Sequence, residues 1–231
     1  NLAWRAAKLL LDEKGIKDGV TIKIRKYIPV AAGMAGGSTD AAAVLVGVNR
    51  MFDLGFTKKE LMERGVKLGA DVPYCIMRGT ALSEGIGEIL TELPAPPQCH
   101  LVIAKPQISV STKAVYGKLR VNELAPEEHP DIDGMMAAIK NGDLDGVIER
   151  LGNVLETVTV PDHPEIARIK EMMMENGACG SLMSGSGPTV FGIYKDKELA
   201  EKACQALREA DGGRLTRQVY LTEFYNRKKA R

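Results

Sequence analysis

Pro29-Val30-Ala31-Ala32-Gly33-Met34-Ala35-Gly36-Gly37-Ser38-Thr39-Asp40 runs directly into Ala41 to Val48, a dense stretch of small and apolar residues. The proline forces a loop, and the apolar stretch reads as a buried helix. Between them, glycines leave several backbone N–H groups unobstructed at a helix N-terminus, where unpaired donors and the helix dipole favour an anion. A polyphosphate suits a run of this length. The common nucleotide motifs do not match: Gly-x-x-x-x-Gly-Lys-Ser/Thr needs a lysine absent here, and no Gly-x-Gly-x-x-Gly follows a strand. Taken alone, the loop reads equally well as a glycine-rich turn that lets the helix pack tightly.

Upstream, Leu2, Ala3, Ala6, Ala7, Leu10 and Leu11 recur at helical spacing until Gly15, which predicts an amphipathic helix with Trp4 packed on it. Val20, Ile22 and Ile24 alternate with Thr21, Lys23 and Arg25 as in a half-buried strand. Downstream, Thr57 and Glu60 form a capping-box pair opening a helix to about Leu68, which leads into Gly69-Ala70-Asp71-Val72-Pro73. Tyr74 to Ile76 and Thr80 to Leu82 read as short strands, followed by the turn Glu84-Gly85-Ile86-Gly87-Glu88. The proline-rich segment Pro94-Ala95-Pro96-Pro97 marks the expected boundary between domains at 1–93 and 98–231. Beyond it come a strand at Leu101 to Ala104 and a hydroxyl-capped helix at Ser111 to Leu119. Several short helices fill the middle, and a helix follows at Ile166 to Met174, where the methionines 172–174 read as core. Ala178 to Met183 and Thr189 to Tyr194 are strand-like around Ser184-Gly185-Ser186-Gly187-Pro188, with a helix at Glu198 to Ala210 and a last strand at Val219 to Leu221. Helices alternating with strands in this way predict an α+β sandwich.

Composition narrows the function. With 31 Lys+Arg against 30 Asp+Glu, the net charge is +1, so nothing points to nucleic acid or an anionic membrane. The basic run Arg227, Lys228, Lys229 and Arg231 reads as a solvated tail. No apolar stretch approaches the roughly 20 residues of a membrane span. Cys75, Cys99, Cys179 and Cys204 form no Cys-x-x-Cys pair and sit in apolar surroundings, as free buried thiols do in a reducing, cytoplasmic setting. His100, His129 and His163 lie too far apart in sequence to build a zinc site or a Cys/His nucleophile pair, and no structural metal is expected. Ser184 and Ser186 have no histidine at a nucleophile's spacing and belong to a turn.

Pro29 to Ala42 resembles the second motif of the GHMP family of small-molecule kinases, and Gly180-Ser181-Leu182-Met183-Ser184-Gly185-Ser186-Gly187-Pro188-Thr189-Val190-Phe191 resembles its glycine-rich third motif. Two motifs in the family's order, covering essentially the whole chain, make the resemblance specific. It implies a two-domain α+β GHMP kinase fold, with a ribosomal-protein-S5-domain-2-like N-terminal part and a ferredoxin-like C-terminal domain. Leu68-Gly69-Ala70-Asp71-Val72-Pro73 and Glu84 to Glu88 are similar to the branch whose acceptor is 4-diphosphocytidyl-2-C-methyl-D-erythritol, a step of non-mevalonate isoprenoid biosynthesis. ATP, with Mg²⁺, is the expected phosphoryl donor, and a monomer or weak homodimer the expected state. Family members also carry a Pro-Ala-Lys-type first motif, whose lysine lies beside the catalytic aspartate. No such motif occurs here, and residues upstream of Asn1, including that lysine and aromatic contacts to cytosine, are expected to be missing from the sequence.

Roles follow from the resemblance, residue by residue. Phosphoryl transfer needs a group to accept the attacking hydroxyl's proton, and Asp71, held at a helix end before Pro73, is the expected base. An isolated aspartate there would read as a cap. Within a nucleotide-binding stretch from Pro29 to Asp40, Gly33 to Ser38 are expected to wrap the triphosphate, while Asn1 and Lys26 border the adenine and Asp40 lies nearby. Ser38 at the helix start can reach a phosphate oxygen or Mg²⁺ and is also an ordinary N-cap. Thr112 and Tyr116, four apart on one helix face, match positions that touch the cytidine, and the Tyr116 ring can stack on the base, although an aromatic there is commonly core. Competing readings are a homoserine- or mevalonate-type kinase of the same family, a nucleotide-binding module without catalysis, and a dinucleotide oxidoreductase. The last lacks its glycine spacing and an acidic ribose partner.

Overall fold

The computed structural model describes residues 1–225, so the basic run from Arg227 to Arg231 lies outside the described residues. Two compact units are present: residues 1–30 with 35–93, and residues 31–34 with those from 94 onward.

The first unit is built on four helices, α1 (Leu2–Glu13), α2 (Gly36–Met51), α3 (Lys58–Val66) and α4 (Val72–Met77), with the hairpin β1 (Thr80–Glu84) and β2 (Ile89–Leu93). Alternation at helical spacing works as expected in α1, which buries Ala6, Ala7 and Leu10 against Ala41, Ala42, Leu45 and Val48 of α2. Leu10 and Leu45 are fully buried, each contributing about 1.5–3 kcal/mol. The capping box of α3 forms in full, Thr57 Oγ1 accepting from Glu60 N–H while the Glu60 carboxylate accepts from Thr57 N–H.

Four expectations are corrected here. Val20 to Ile24 is not a strand, because a strand needs a hydrogen-bonded neighbour and the only sheet of this unit among the described residues pairs β1 with β2. Val20 and Ile22 nevertheless pack against the helical core, which accounts for their alternation. Tyr74 to Ile76 is helical, within α4: a short apolar run is ambiguous by periodicity, and Pro73 at the second helical position favours the helix. Helix α2 begins at Gly36, inside the glycine run and not at Ala41. Trp4 is 60% exposed and no part of the core.

The second unit carries a four-stranded antiparallel sheet in the order β4-β5-β3-β6, made of β3 (His100–Pro106), β4 (Gly180–Met183), β5 (Val190–Tyr194) and β6 (Thr216–Glu223). The helices of this unit are α5 (Thr112–Lys118), α6 (Ile132–Asn141), α7 (Leu144–Glu149), α8 (Glu156–Asp162), α9 (Pro164–Glu175) and α10 (Lys197–Glu209). Reading β3-α9-β4-β5-α10-β6 along the chain against that strand order gives the split β-α-β arrangement of a ferredoxin-like domain. Its core joins Val102 and Ala104 of β3 and Val190 and Tyr194 of β5 to Ile166, Ile169 and Met173 of α9 and Ala203 and Leu207 of α10. Met172 and Met173 are core as expected, but Met174 is exposed, since three consecutive helical residues cannot share one face. All four cysteines are free. Cys99 and Cys204 are buried, while Cys75 and Cys179 are only half-buried. Among the described residues no helix is long and apolar enough to cross a membrane.

Candidate active site

In the first unit the glycine run becomes the first turn of α2. Ala35 precedes it with φ 48°, a left-handed conformation, and contributes no side-chain cap. The first helical bond is Thr39 N–H to Ala35 O at 2.8 Å, so the N–H groups of Gly36, Gly37 and Ser38 have no intrahelical carbonyl to meet. Ser38 is therefore the third residue of the helix and not its cap, and its hydroxyl is left for another partner. A Cβ at Gly36 would come within 2.8 Å of Ile28 Cγ2 and 3.2 Å of Lys26 Nζ, so the ammonium of Lys26 sits against this turn, where it pairs with Asp40. Lys26 is thus no freely solvated lysine. Asn1 spends its side-chain oxygen capping α1, accepting from Ala3 N–H at 2.9 Å.

Asp71 occupies the N-cap position of α4, yet its side chain makes no capping bond and the residue is exposed. A cap that declines to cap leaves a carboxylate free for other work. Two contacts place it near the loop's helix: a Cβ at Gly69 would lie 4.0 Å from Ser38 Oγ, and Thr39 Oγ1 meets Cys75 Sγ at 3.5 Å, one turn along α4 from Asp71. Burial raises the Cys75 thiol pKa, opposed by the Thr39 hydrogen bond and aided by the nearby Asp71 charge, which works against thiolate formation. The hairpin turn abuts the same segment, since a Cβ at Gly87 would be 3.5 Å from Ala70 O. The turn is closed by Glu88 Oε2 accepting from Ile86 N–H at 2.7 Å.

In the second unit the turn between β4 and β5 holds the other glycine motif. Ser184 N–H reaches Thr189 O at 2.8 Å, and Gly187 N–H reaches Ser184 O at 2.9 Å. Ser184 Oγ donates to Gly33 O at 2.8 Å. Gly33 has φ +66°, and a Cβ there would fall 2.2 Å from Ser184 O, so only glycine fits. Ala31, two residues earlier, is also left-handed with φ 51°. Thr112 shares a 2.8 Å hydroxyl–hydroxyl bond with Ser186, which is 5% exposed. Tyr116 is 59% exposed, so its ring is presented and not consumed by the core.

Three residues that sequence reasoning passed over hold this turn. Asn153 Nδ2 donates to Met183 O at 2.9 Å and to Gly185 O at 2.8 Å; Glu156 Oε1 accepts from Met183 N–H at 2.7 Å; Thr159 Oγ1 donates to Ser186 O at 3.3 Å. Each acts on a residue 27 to 32 positions away, so the local sequence carries no signal for them.

The family description "GHMP kinases N terminal domain" matches residues 1–79 and "GHMP kinases C terminal" matches residues 135–212. A Lachnospira eligens protein named 4-diphosphocytidyl-2-C-methyl-D-erythritol kinase is 52% identical over 225 residues, covering 97% of this chain and 76% of the relative. The chain belongs to the GHMP kinase family. A Lachnoclostridium phytofermentans relative of the same name is 51% identical, covering 99% of this chain and 77% of its own length. Among solved structures, a 4-(cytidine 5'-diphospho)-2C-methyl-D-erythritol kinase superposes with TM-score 0.80 at 32% identity, covering 96% of this GHMP kinase and 77% of that chain. A homoserine kinase from Cytophaga hutchinsonii gives TM-score 0.81 at 20% identity, covering 98% of this chain and 76% of its own, a likeness of fold alone.

Proposed function

We propose that this GHMP kinase transfers the γ-phosphoryl group of ATP to the 2-hydroxyl of 4-diphosphocytidyl-2-C-methyl-D-erythritol. What carries the reading is about half-identity, along nearly the whole chain, to relatives named for that activity. ATP lies with its phosphates on Gly33 to Ser38, where three helix-start N–H groups meet the negative charge. The pattern fits a polyphosphate, because Gly37 is exposed and Ser38 keeps an uncommitted hydroxyl beside it. Ser38 Oγ, uncommitted at the helix start, would hold Mg²⁺, which would supply charge neutralisation on the phosphates. Asp71 takes the proton of the acceptor hydroxyl; the freed oxygen bonds to the γ-phosphorus as the bond to the β–γ bridging oxygen breaks, and ADP leaves. Thr112 and Tyr116 receive the cytidine, and Lys26 and Asn1 border the adenine.

An assay coupled to ADP release, with the diphosphocytidyl acceptor, homoserine and mevalonate offered in turn, tests the reading. In a protein that also carries the first-motif segment, turnover of roughly 1–100 s⁻¹ on the first alone is expected. Preference for homoserine or mevalonate would reassign the substrate, and ATP binding without turnover on any acceptor would make the chain a nucleotide-binding module.

Tyr116 supplies a narrower test, because an exposed ring can be removed without opening a cavity. Stacking on a base is worth about 1–3 kcal/mol, so Tyr116→Ala should raise the acceptor's KM some five- to a hundred-fold while the ATP KM and the melting temperature hold. Loss of fold with the acceptor KM unmoved would return the residue to the core.

A further inference from the structure

We infer that the turn Ser184 to Pro188 couples the binding of the two substrates, with Ser184 and Ser186 as its positioning residues. The inference rests on the function proposed above. One side of the turn is clamped: Asn153 holds Met183 O and Gly185 O, Thr159 holds Ser186 O, and Glu156, itself gripped by Lys170 at 2.6 Å, holds Met183 N–H. Four main-chain attachments within four consecutive residues make the segment move as one piece. From it, two hydroxyls two residues apart reach elements far away in sequence. Ser184 Oγ fixes the carbonyl of Gly33, the first residue of the phosphate loop, and a planar peptide so fixed also sets the direction of the Met34 N–H. Ser186 Oγ shares its hydrogen bond with Thr112, the first residue of α5, whose other end carries Tyr116. A nucleotide that settles Gly33 thereby settles the turn, and the turn settles Thr112 before the cytidine arrives, so the second ligand meets a lower ordering cost. By linkage the acceptor favours the nucleotide by the same factor.

The test is calorimetric titration of the purified full chain with 4-diphosphocytidyl-2-C-methyl-D-erythritol, with and without a saturating non-hydrolysable ATP analogue. The native protein should bind the acceptor about fivefold or more tightly when the analogue is present. In Ser184→Ala and Ser186→Ala that ratio should fall to about one, whereas Ser184→Thr, which keeps the hydroxyl, should retain it. Should Ser186→Ala fail to fold, leaving Thr112 without this partner, the half-buried Ser184 pair of variants decides alone. A native ratio of one, or a native-like ratio in a folded alanine variant, overturns the coupling while leaving the assigned reaction intact. Acceptor that fails to bind the native protein under either condition overturns the assigned reaction, and the coupling with it.

Discussion

Asp71→Asn is expected to lower turnover about 10²–10⁴-fold while ATP still binds, the loss typical of removing a positioned general base. The structure makes this substitution unusually clean. The side chain of Asp71 makes no capping bond to α4, so asparagine removes no hydrogen bond from the fold. The two side chains are nearly isosteric, yet the amide neither accepts the hydroxyl proton nor supplies negative charge. Steady-state kcat, nucleotide affinity by titration and a melting curve together decide the matter. An unchanged kcat in a folded variant would remove Asp71 from the mechanism, and a collapse in melting temperature would assign it a structural task.

Gly33→Ala is the second large effect expected, and it should appear in nucleotide affinity. A methyl group at this position meets the backbone carbonyl of Ser184 at 2.2 Å, an obstacle that no rotamer change can move aside. The variant must shift the turn or abandon the left-handed φ of +66° at this residue. Holding a side chain in such a conformation costs on the order of 1–3 kcal/mol, and a loop that relaxes instead loses its arrangement of donors. Nucleotide affinity should therefore fall about tenfold or more, since 1.4 kcal/mol corresponds to a factor of ten. Fluorescent-nucleotide titration measures it. Native affinity would mean that the phosphates rest only on Gly36 to Ser38 and that Gly33 serves the turn alone.

Much of this was legible in the sequence wherever the deciding interactions are local. The apolar spacing of α1 and the Thr57/Glu60 capping box each predict their element because neighbours in sequence fix the outcome. The glycine run reads as a loop, yet from Gly36 onward it is helix. Glycine's poor helix propensity, about 1 kcal/mol against alanine, is outweighed by close packing of Gly36 on Ile28, a contact that propensity does not carry. The apparent strand at Val20 to Ile24 failed for the opposite reason: alternation records which residues are half-buried, whereas a strand also needs a partner. The candidate site divides along the same line. Asp71, Gly33 and Ser38 were found through contiguous motifs. Asn153, Glu156 and Thr159 act on residues 27 to 32 positions away, and no short pattern announces them.

Ala31 and Ala35 flank Gly33 in the same left-handed region, where a residue with a Cβ is disfavoured by roughly 1–2 kcal/mol. The chain thus keeps a wound spring on either side of Gly33, compressed by the rest of the fold. An engineer seeking heat resistance would be drawn to these two alanines, because glycine relieves the compression at once. The relief has a cost, since glycine also frees the unfolded chain and lets the loop wander when empty. Screens that select on melting temperature alone should therefore enrich for variants that survive heating and hold nucleotide less well.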